Sequence, residues 1–367
     1  MRASLLFSTD TMSAADCSTG EYAIYTGKKK TVLAGGVLLL VATFLVSLSL
    51  GSVSIPLGDV AASILRLGET HGKWEAIVLQ VRLPQSLAAI AAGTGLAVAG
   101  VAMQSILRNP LGSPFTLGIS NAAAFGAAFS VMVLGTGVMH SSAADAISIT
   151  KPGGTTSAAF IFSMLAAGVI LAVARIRRSS PEVMVLTGVA MGSLFSAGTM
   201  FLQYFADDTQ LAAMVFWTFG DLARAGWGEL SLTGIITIAG LGYFYMNRWN
   251  YNALNAGDDT ARSLGVPAGR IRLIGMAVAS LMTAVIIAFV GIIGFVGLIC
   301  PHMVRRFVGD DHRFLMPASA LAGAILLLIA DTAARIILAP QVLPVAILTS
   351  FTGAPLFLYL LIRGYKR

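Results

Sequence analysis

The sequence predicts an all-α membrane protein that crosses the bilayer ten times, and three observations carry that reading. Hydrophobic residues fill 56% of the 367 positions and charged residues only 11%. A soluble domain carries about 25% charged residues, so lipid rather than water must cover most of this surface. Apolar stretches of about 20 residues, the length that spans a hydrocarbon core, recur along the whole chain. The 24 Lys and Arg residues then sort to one side of those stretches, as the basic excess in cytoplasmic loops requires.

Residues 1–30 are polar and end in Lys28, Lys29 and Lys30. A cleaved secretory signal would be shorter and charged nearer its start, so this segment reads as a disordered cytoplasmic tail ahead of a transmembrane region over 31–367. Apolar segments follow at 31–50, 84–106, 115–135, 157–174, 183–205, 229–247, 314–338 and 344–362. Between the sixth of these and the next, Leu273 to Pro301 runs for 29 residues without a charge. At about 1.5 Å rise per residue that is too short for two full crossings and long for one. Arg270 and Arg272 precede the run and Arg305 and Arg306 follow it, so a single crossing would strand one pair on the wrong face. The chain is therefore predicted to turn back near Gly291 to Gly297, giving one ordinary span and one short or broken helix. Glycine-rich backbone is tolerated at that depth where protein surrounds it. With both termini inside, 17 basic residues at the ends of the spans and in the loops fall on the cytoplasmic side and six on the other (Arg66, Lys73, Arg82, Lys151, Arg224 and Arg335), and Arg2 in the tail completes the 24.

Some segments are neither ordinary loop nor ordinary span. Arg108-Asn-Pro-Leu-Gly-Ser-Pro114 cannot be helical throughout, because proline removes a donor and restricts its predecessor. It is either a tight cytoplasmic turn or a constriction at the mouth of a pathway. In the loop Asn247 to Arg272, a short capped helix is predicted over about 255–266. Asp258 and Asp259 stand at its start, where the helix dipole favours acid, Arg262 follows, and Gly265 and Pro267 lie past its end. So short a helix is marginal in water and must dock, on the protein's own face or on a partner. Gly93, Gly95 and Gly100 in the second span, and Gly188 and Gly192 at GxxxG spacing in the fifth, permit close helix approach. Asp331 and Arg335 stand four apart with the acid first, a favourable helical ion pair; an intramembrane carboxylate also admits a proton relay.

Absences narrow the function. Tyr22 and Leu67 stand where a phosphate-cradling loop would need its first glycine ahead of Gly27-Lys28 and Gly72-Lys73, so this chain is not itself an ATPase. His71, His140, His302 and His312 form no HExxH pattern and no GxSxG exists, which leaves intramembrane hydrolysis without support. Cys17 and Cys300 have no disulfide or metal-ligand spacing. The net charge of +7 belongs to the loops and gives no reason to invoke nucleic acid.

Arg82-Leu-Pro84, Gln104, Arg108-Asn-Pro-Leu-Gly-Ser-Pro114 and Leu117-Gly118 resemble the first signature of the permease family of ABC importers for ferric siderophores, haem and cobalamin. Gly257-Asp-Asp-Thr-Ala261, Leu264-Gly265, Gly294-Phe-Val-Gly-Leu298, Pro301-His302, Arg305, Gly309, His312-Arg313, Ala330-Asp331, Leu343-Pro344 and Gly353-Ala-Pro355 resemble the rest in order and spacing. Gln85, Asn121-Ala122-Ala123, Val342 and Ala346 depart from the usual pattern. The resemblance implies a ten-helix permease of type II importer architecture, paired with a second permease subunit in a homodimer whose axis is the pathway. It implies two cytoplasmic ATPase subunits, which hold the ATP and magnesium while this chain binds no cofactor or metal, and a periplasmic or lipid-anchored substrate-binding protein. On this sequence it places ATPase coupling at Gly257, Asp258, Asp259, Ala261, Arg262, Leu264 and Gly265. It places cytoplasmic gates at Asn109, Pro110 and Leu111 and at Ser179 and Ser180, and pathway packing at Gly188 and Gly192. Docking of the binding protein falls to Arg66, Lys73 and Arg335. The expected setting is the plasma (inner) membrane of a bacterium or archaeon, the expected cargo a ferric siderophore with haem or cobalamin as alternatives. An ion-driven carrier working through Asp331 is the competing class.

Overall fold

In the computed structural model, residues 14–65, 72–139, 147–149, 152–177 and 180–364 are described. The first helix, α1 (Ala14–Ser49), corrects the expectation of a disordered tail for residues 14–30; residues 1–13 lie outside the described residues. Extending an existing helix is cheap once it is nucleated, and the polar part is held by a tertiary contact, Arg313 donating to the Tyr22 hydroxyl at 3.0 Å, and by an i,i+4 contact within the helix, Lys29 donating to the Tyr25 hydroxyl at 2.6 Å.

After α2 (Leu57–Leu65) and the short α3 (Gly72–Ala76), π-helical turns over Ile77–Arg82 run into α4 (Leu83–Ile106). Pro84 in the first turn of α4 has no N–H to return to the preceding turn, and the wide turns ahead of it absorb the mismatch. One freed carbonyl, that of Leu79, accepts from the Trp227 indole at 3.2 Å. Next come α5 (Ile119–Val133), a hairpin of three-residue strands β1 (Gly137–Met139) and β2 (Ile147–Ile149) with Gly137 opposite Ile149, α6 (Pro152–Ile176) and α7 (Pro181–Phe205). A capping box at Asp207 and Gln210 starts α8 (Asp208–Thr218), and α9 (Trp227–Met246) follows. The end of the chain holds α10 (Arg248–Asn255), α11 (Asp258–Ser263), α12 (Ala268–Val290), α13 (Val296–Val308), α14 (His312–Ile336) and α15 (Val345–Gly364).

Each of the ten predicted spans is helical. The uncharged run splits as its flanking arginines require, breaking over 291–295 between α12 and α13, with Gly291 and Phe295 at positive φ (77° and 66°). By length and composition seven described helices are able to cross a membrane; α5, α13 and the apolar part of α15 are shorter. The hairpin, α8 and α10 have no counterpart in the sequence expectation.

At the centre lies α4, packed against α9, α12, α13 and α14. Of its most apolar stretch 78% is buried, against 11% for α1, which separates a protein-facing axis from a lipid-facing rim. Small residues allow the contact. A Cβ on Gly93 would lie 2.2 Å from the Gly323 carbonyl oxygen, and one on Gly100 would lie 1.8 Å from that of Gly297. Only glycine admits such crossings.

Candidate functional site

The turn between α4 and α5 is rigidified by its own side chains. Asn109 Oδ1 accepts from the Leu111 N–H at 2.9 Å, closing an Asx turn, and the Gly112 N–H reaches the Asn109 carbonyl at 2.9 Å. Ser113 N–H donates to Thr116 Oγ1 at 3.0 Å and Thr116 N–H to Ser113 Oγ at 3.2 Å. Pro110 and Leu111 are left exposed at the tip. Arg108 enters the turn at φ 47°, an uncommon backbone for a residue with a side chain.

Beside this turn lies α11. The expected helix over 255–266 shrinks to six residues, because Gly257 (φ 114°) and Gly265 (φ 77°) punctuate it at both ends. One face is fixed: Ala261 is fully buried, and Asp258 accepts at Oδ2 from Arg272 Nη1 at 2.7 Å while its other oxygen meets Nη2. The opposite face is free of the bundle. Asp259, Arg262 and Leu264 are exposed, the first two paired at 3.7 Å. The hydrogen bond from Arg272 holds the Asp258 carboxyl below the usual carboxylate range. A depressed carboxyl pKa stabilises the fold above its unfolded value and loses that contribution as pH falls through the folded value, so this contact is intact throughout the neutral range.

Between the turn and α13, a cavity of about 650 Å³ is lined by Gln104, Arg108, Asn109, Asn255, His302 and Arg305 among others. Arg305 donates to Gln104 Oε1 and pairs with Asp310 at 3.0 Å. Ser180, the other gate residue described, donates to the Glu182 carboxylate at the start of α7; Ser179 lies outside the described residues.

Gly188 and Gly192 are buried against the α5 entrance, in the close helix packing that their spacing permits. A Cβ on Gly118 (φ 72°) would come within 2.6 Å of the Gly192 backbone, and Asn121 donates to the Gly192 carbonyl at 3.1 Å. The GxxxG spacing serves this intrachain crossing. The exposed face of α7 is instead Leu186, Val189, Leu194, Met200, Phe201 and Tyr204.

Asp331 and Arg335 form the predicted pair at 3.0 Å, both buried. Gln85 adds a hydrogen bond to Asp331 at 2.8 Å, and Arg335 donates to Ser47 Oγ at 2.7 Å and to the Ser47 carbonyl at 3.3 Å. Arg82 donates to the Leu48 and Ser49 carbonyls at 2.8 Å each and to that of Val53. Two buried guanidinium groups thus satisfy the orphan carbonyls at the end of α1, where the helix dipole is negative. Arg335 is 5% exposed, so it offers no surface to a docking protein, and that expectation is withdrawn. Arg66 and the Lys73 side chain lie outside the described residues. Among the described residues no three His, Cys, Asp or Glu side chains gather as a metal site.

An apolar helical bundle with a rigid turn and a helix projecting at one end defines a class, the multi-pass membrane permease. The model of the FecCD transport family matches residues 39–363, and the chain belongs to that family. An ABC transporter permease protein of Methanocaldococcus jannaschii is 54% identical over 350 residues, covering 95% of this chain and 98% of the relative. The hemin transport system permease of Yersinia pestis is 35% identical over 322 residues, 88% and 92% of the two chains. A solved metal-chelate type ABC transporter in an inward-facing conformation superposes with a TM-score of 0.78 at 29% identity, over 91% of this chain and 99% of that one. The chain is the permease of an ABC importer, a transport subunit and not an enzyme. The ion-driven carrier reading gives way on both counts: the family is of ABC permeases, and Asp331 is committed to Arg335 and Gln85.

Proposed function

We propose that this permease carries a bulky ferric chelate, a siderophore before haem or cobalamin, and that α11 is where an ATPase subunit grips it. The observation behind this reading is the two-sided character of α11: one side is bonded into the bundle through Asp258 and Ala261, and the other presents Asp259, Arg262 and Leu264 to a partner. Two ATPase subunits and a second copy of this chain complete the translocating unit, and a periplasmic or lipid-anchored binding protein delivers the cargo. Both termini lie in the cytoplasm of a bacterial or archaeal cell, the region 31–367 is the permease domain, and its ten helices cross the plasma membrane. The turn Asn109 to Leu111 and the segment Ser179-Ser180 gate the cytoplasmic mouth. The exposed apolar face of α7 lines the passage and holds cargo weakly, so that closing of the ATPases tips the packed spans between two arrangements by rigid-body movement. An iron-chelate cargo is supported by the hemin relative and the metal-chelate transporter of similar fold.

Replacing Asp259, Arg262 and Leu264 together by alanine is expected to reduce the ATPase recovered with the affinity-purified permease by about tenfold or more, the loss typical when a central contact cluster is truncated. Uptake by proteoliposomes falls with it. Full recovery of ATPase would remove α11 as the contact. Binding of ferric siderophore, haem and cobalamin to the cognate extracytoplasmic protein decides the cargo.

A further inference from the structure

Arg272, 3% exposed, holds two structural ends at once. Its Nε donates to the Ile106 carbonyl at 3.1 Å, the last residue of α4, while its two Nη atoms grip the Asp258 carboxylate. A planar guanidinium bound bidentately to a carboxylate is geometrically exacting, so α11 is unable to shift without dragging Arg272 or breaking the fork. The same Asp258 oxygen faces Arg108 Nη1 at 3.6 Å. Arg108 is the first residue of the rigid turn, has positive φ, and is half exposed. One carboxylate on the projecting helix is therefore linked to the end of α4 by a buried cation and to the gate turn by an exposed one.

The geometry points to Asp258, Arg272 and Arg108 as an ionic latch that makes the Asn109 to Leu111 turn follow every displacement of α11. Arg272 and Arg108 are positioning residues: neither belongs to the exposed face of α11, and their role is to carry its movement to the gate. The inference rests on the reading of α11 as the ATPase contact, and the two are separable. The exposed face governs assembly, whereas the latch governs what the permease does once assembled.

The test uses the assembled complex of permease, ATPase and binding protein in proteoliposomes. Cys17 is replaced by serine and Phe115, an exposed residue of the same turn, is replaced by cysteine as a reporter for a water-soluble maleimide. In the parent complex the labelling rate changes between the nucleotide-free and the ATP-trapped state. Arg108→Gln is expected to assemble and hydrolyse ATP like the parent while uptake falls about tenfold, within the range of typical coupling free energies, and labelling ceases to follow nucleotide. Arg272→Lys, which keeps the charge but loses the fork, is expected to do the same; if its burial prevents folding, Arg108→Gln decides. Normal uptake with nucleotide-dependent labelling in Arg108→Gln overturns the latch even if the alanine variants of the exposed face abolish assembly. If those alanine variants assemble fully, the ATPase contact itself fails, a separate outcome.

Discussion

Gly100→Ala is expected to yield little folded protein, while Gly234→Ala melts at or slightly above the parent temperature. The single methyl group added at position 100 would sit 1.8 Å from the Gly297 carbonyl oxygen, and the nearest atoms are all backbone. No side chain can rotate away, so α4 and the start of α13 must separate, and the crossing of α4 with α14 at Gly93 and Gly323 lies on the same helix. Overpacking of a closed core costs about 1–3 kcal/mol and more where backbone must move, a large share of a stability of about 5–15 kcal/mol. A methyl on Gly234 meets nothing within 4 Å, and alanine is the better helix former by about 1 kcal/mol. Thermal melting and the monodisperse fraction in detergent read both variants. A Gly100→Ala protein melting within about 2 °C of the parent, a shift too small for a clash of that cost, would mean that the two backbones do not approach as described.

Much of this architecture is legible in the sequence because lipid imposes simple demands on it. Segment length and absence of charge locate the spans, and the arginines flanking Leu273 to Pro301 force the break that appears over 291–295. Asp258, Asp259 and Gly265 announce α11 because a helix terminus rewards acid and ends on glycine. What the sequence hides is the partner of each charge. Arg82, Arg272 and Arg335 count as face-marking cations when charges are tallied by side, yet each is buried and bonded to a helix end or a carboxylate. Gln85 reads as a departure from the family pattern until its bond to Asp331 is seen. The 3.6-residue period that places Gly188 and Gly192 on one face leaves open which neighbour that face meets, and here it is the α5 entrance. The polar start of α1 failed to read as helix because composition carries no record of Arg313, 291 residues further on, reaching Tyr22.

Asp331→Ala is expected to destabilise the permease strongly while ATP-driven uptake per folded complex stays within a factor of about two of the parent, an effect smaller than the loss of any gating or coupling contact. Removing one partner of a buried ion pair leaves the other charge uncompensated and costs about 3–5 kcal/mol, whereas replacing both by apolar groups is often neutral. The double variant Asp331→Leu with Arg335→Leu is accordingly expected to melt above Asp331→Ala. Ser47 keeps a partner in that double variant, since its hydroxyl also meets Ser86 at 2.9 Å. The surroundings support a structural role: Asp331 is buried, paired with Arg335 at 3.0 Å and bonded to Gln85 at 2.8 Å, and Arg335 fastens α14 to the end of α1. A proton relay needs a carboxyl that exchanges with water and changes charge during turnover, and neutralising one would halt transport outright. Uptake measured in ATP-loaded vesicles with the proton gradient collapsed therefore separates the two roles for the same residue. If Asp331→Ala folds normally yet transports nothing, or if collapsing the gradient stops the parent with ATP present, Asp331 is a moving charge and the pair is more than a fastening.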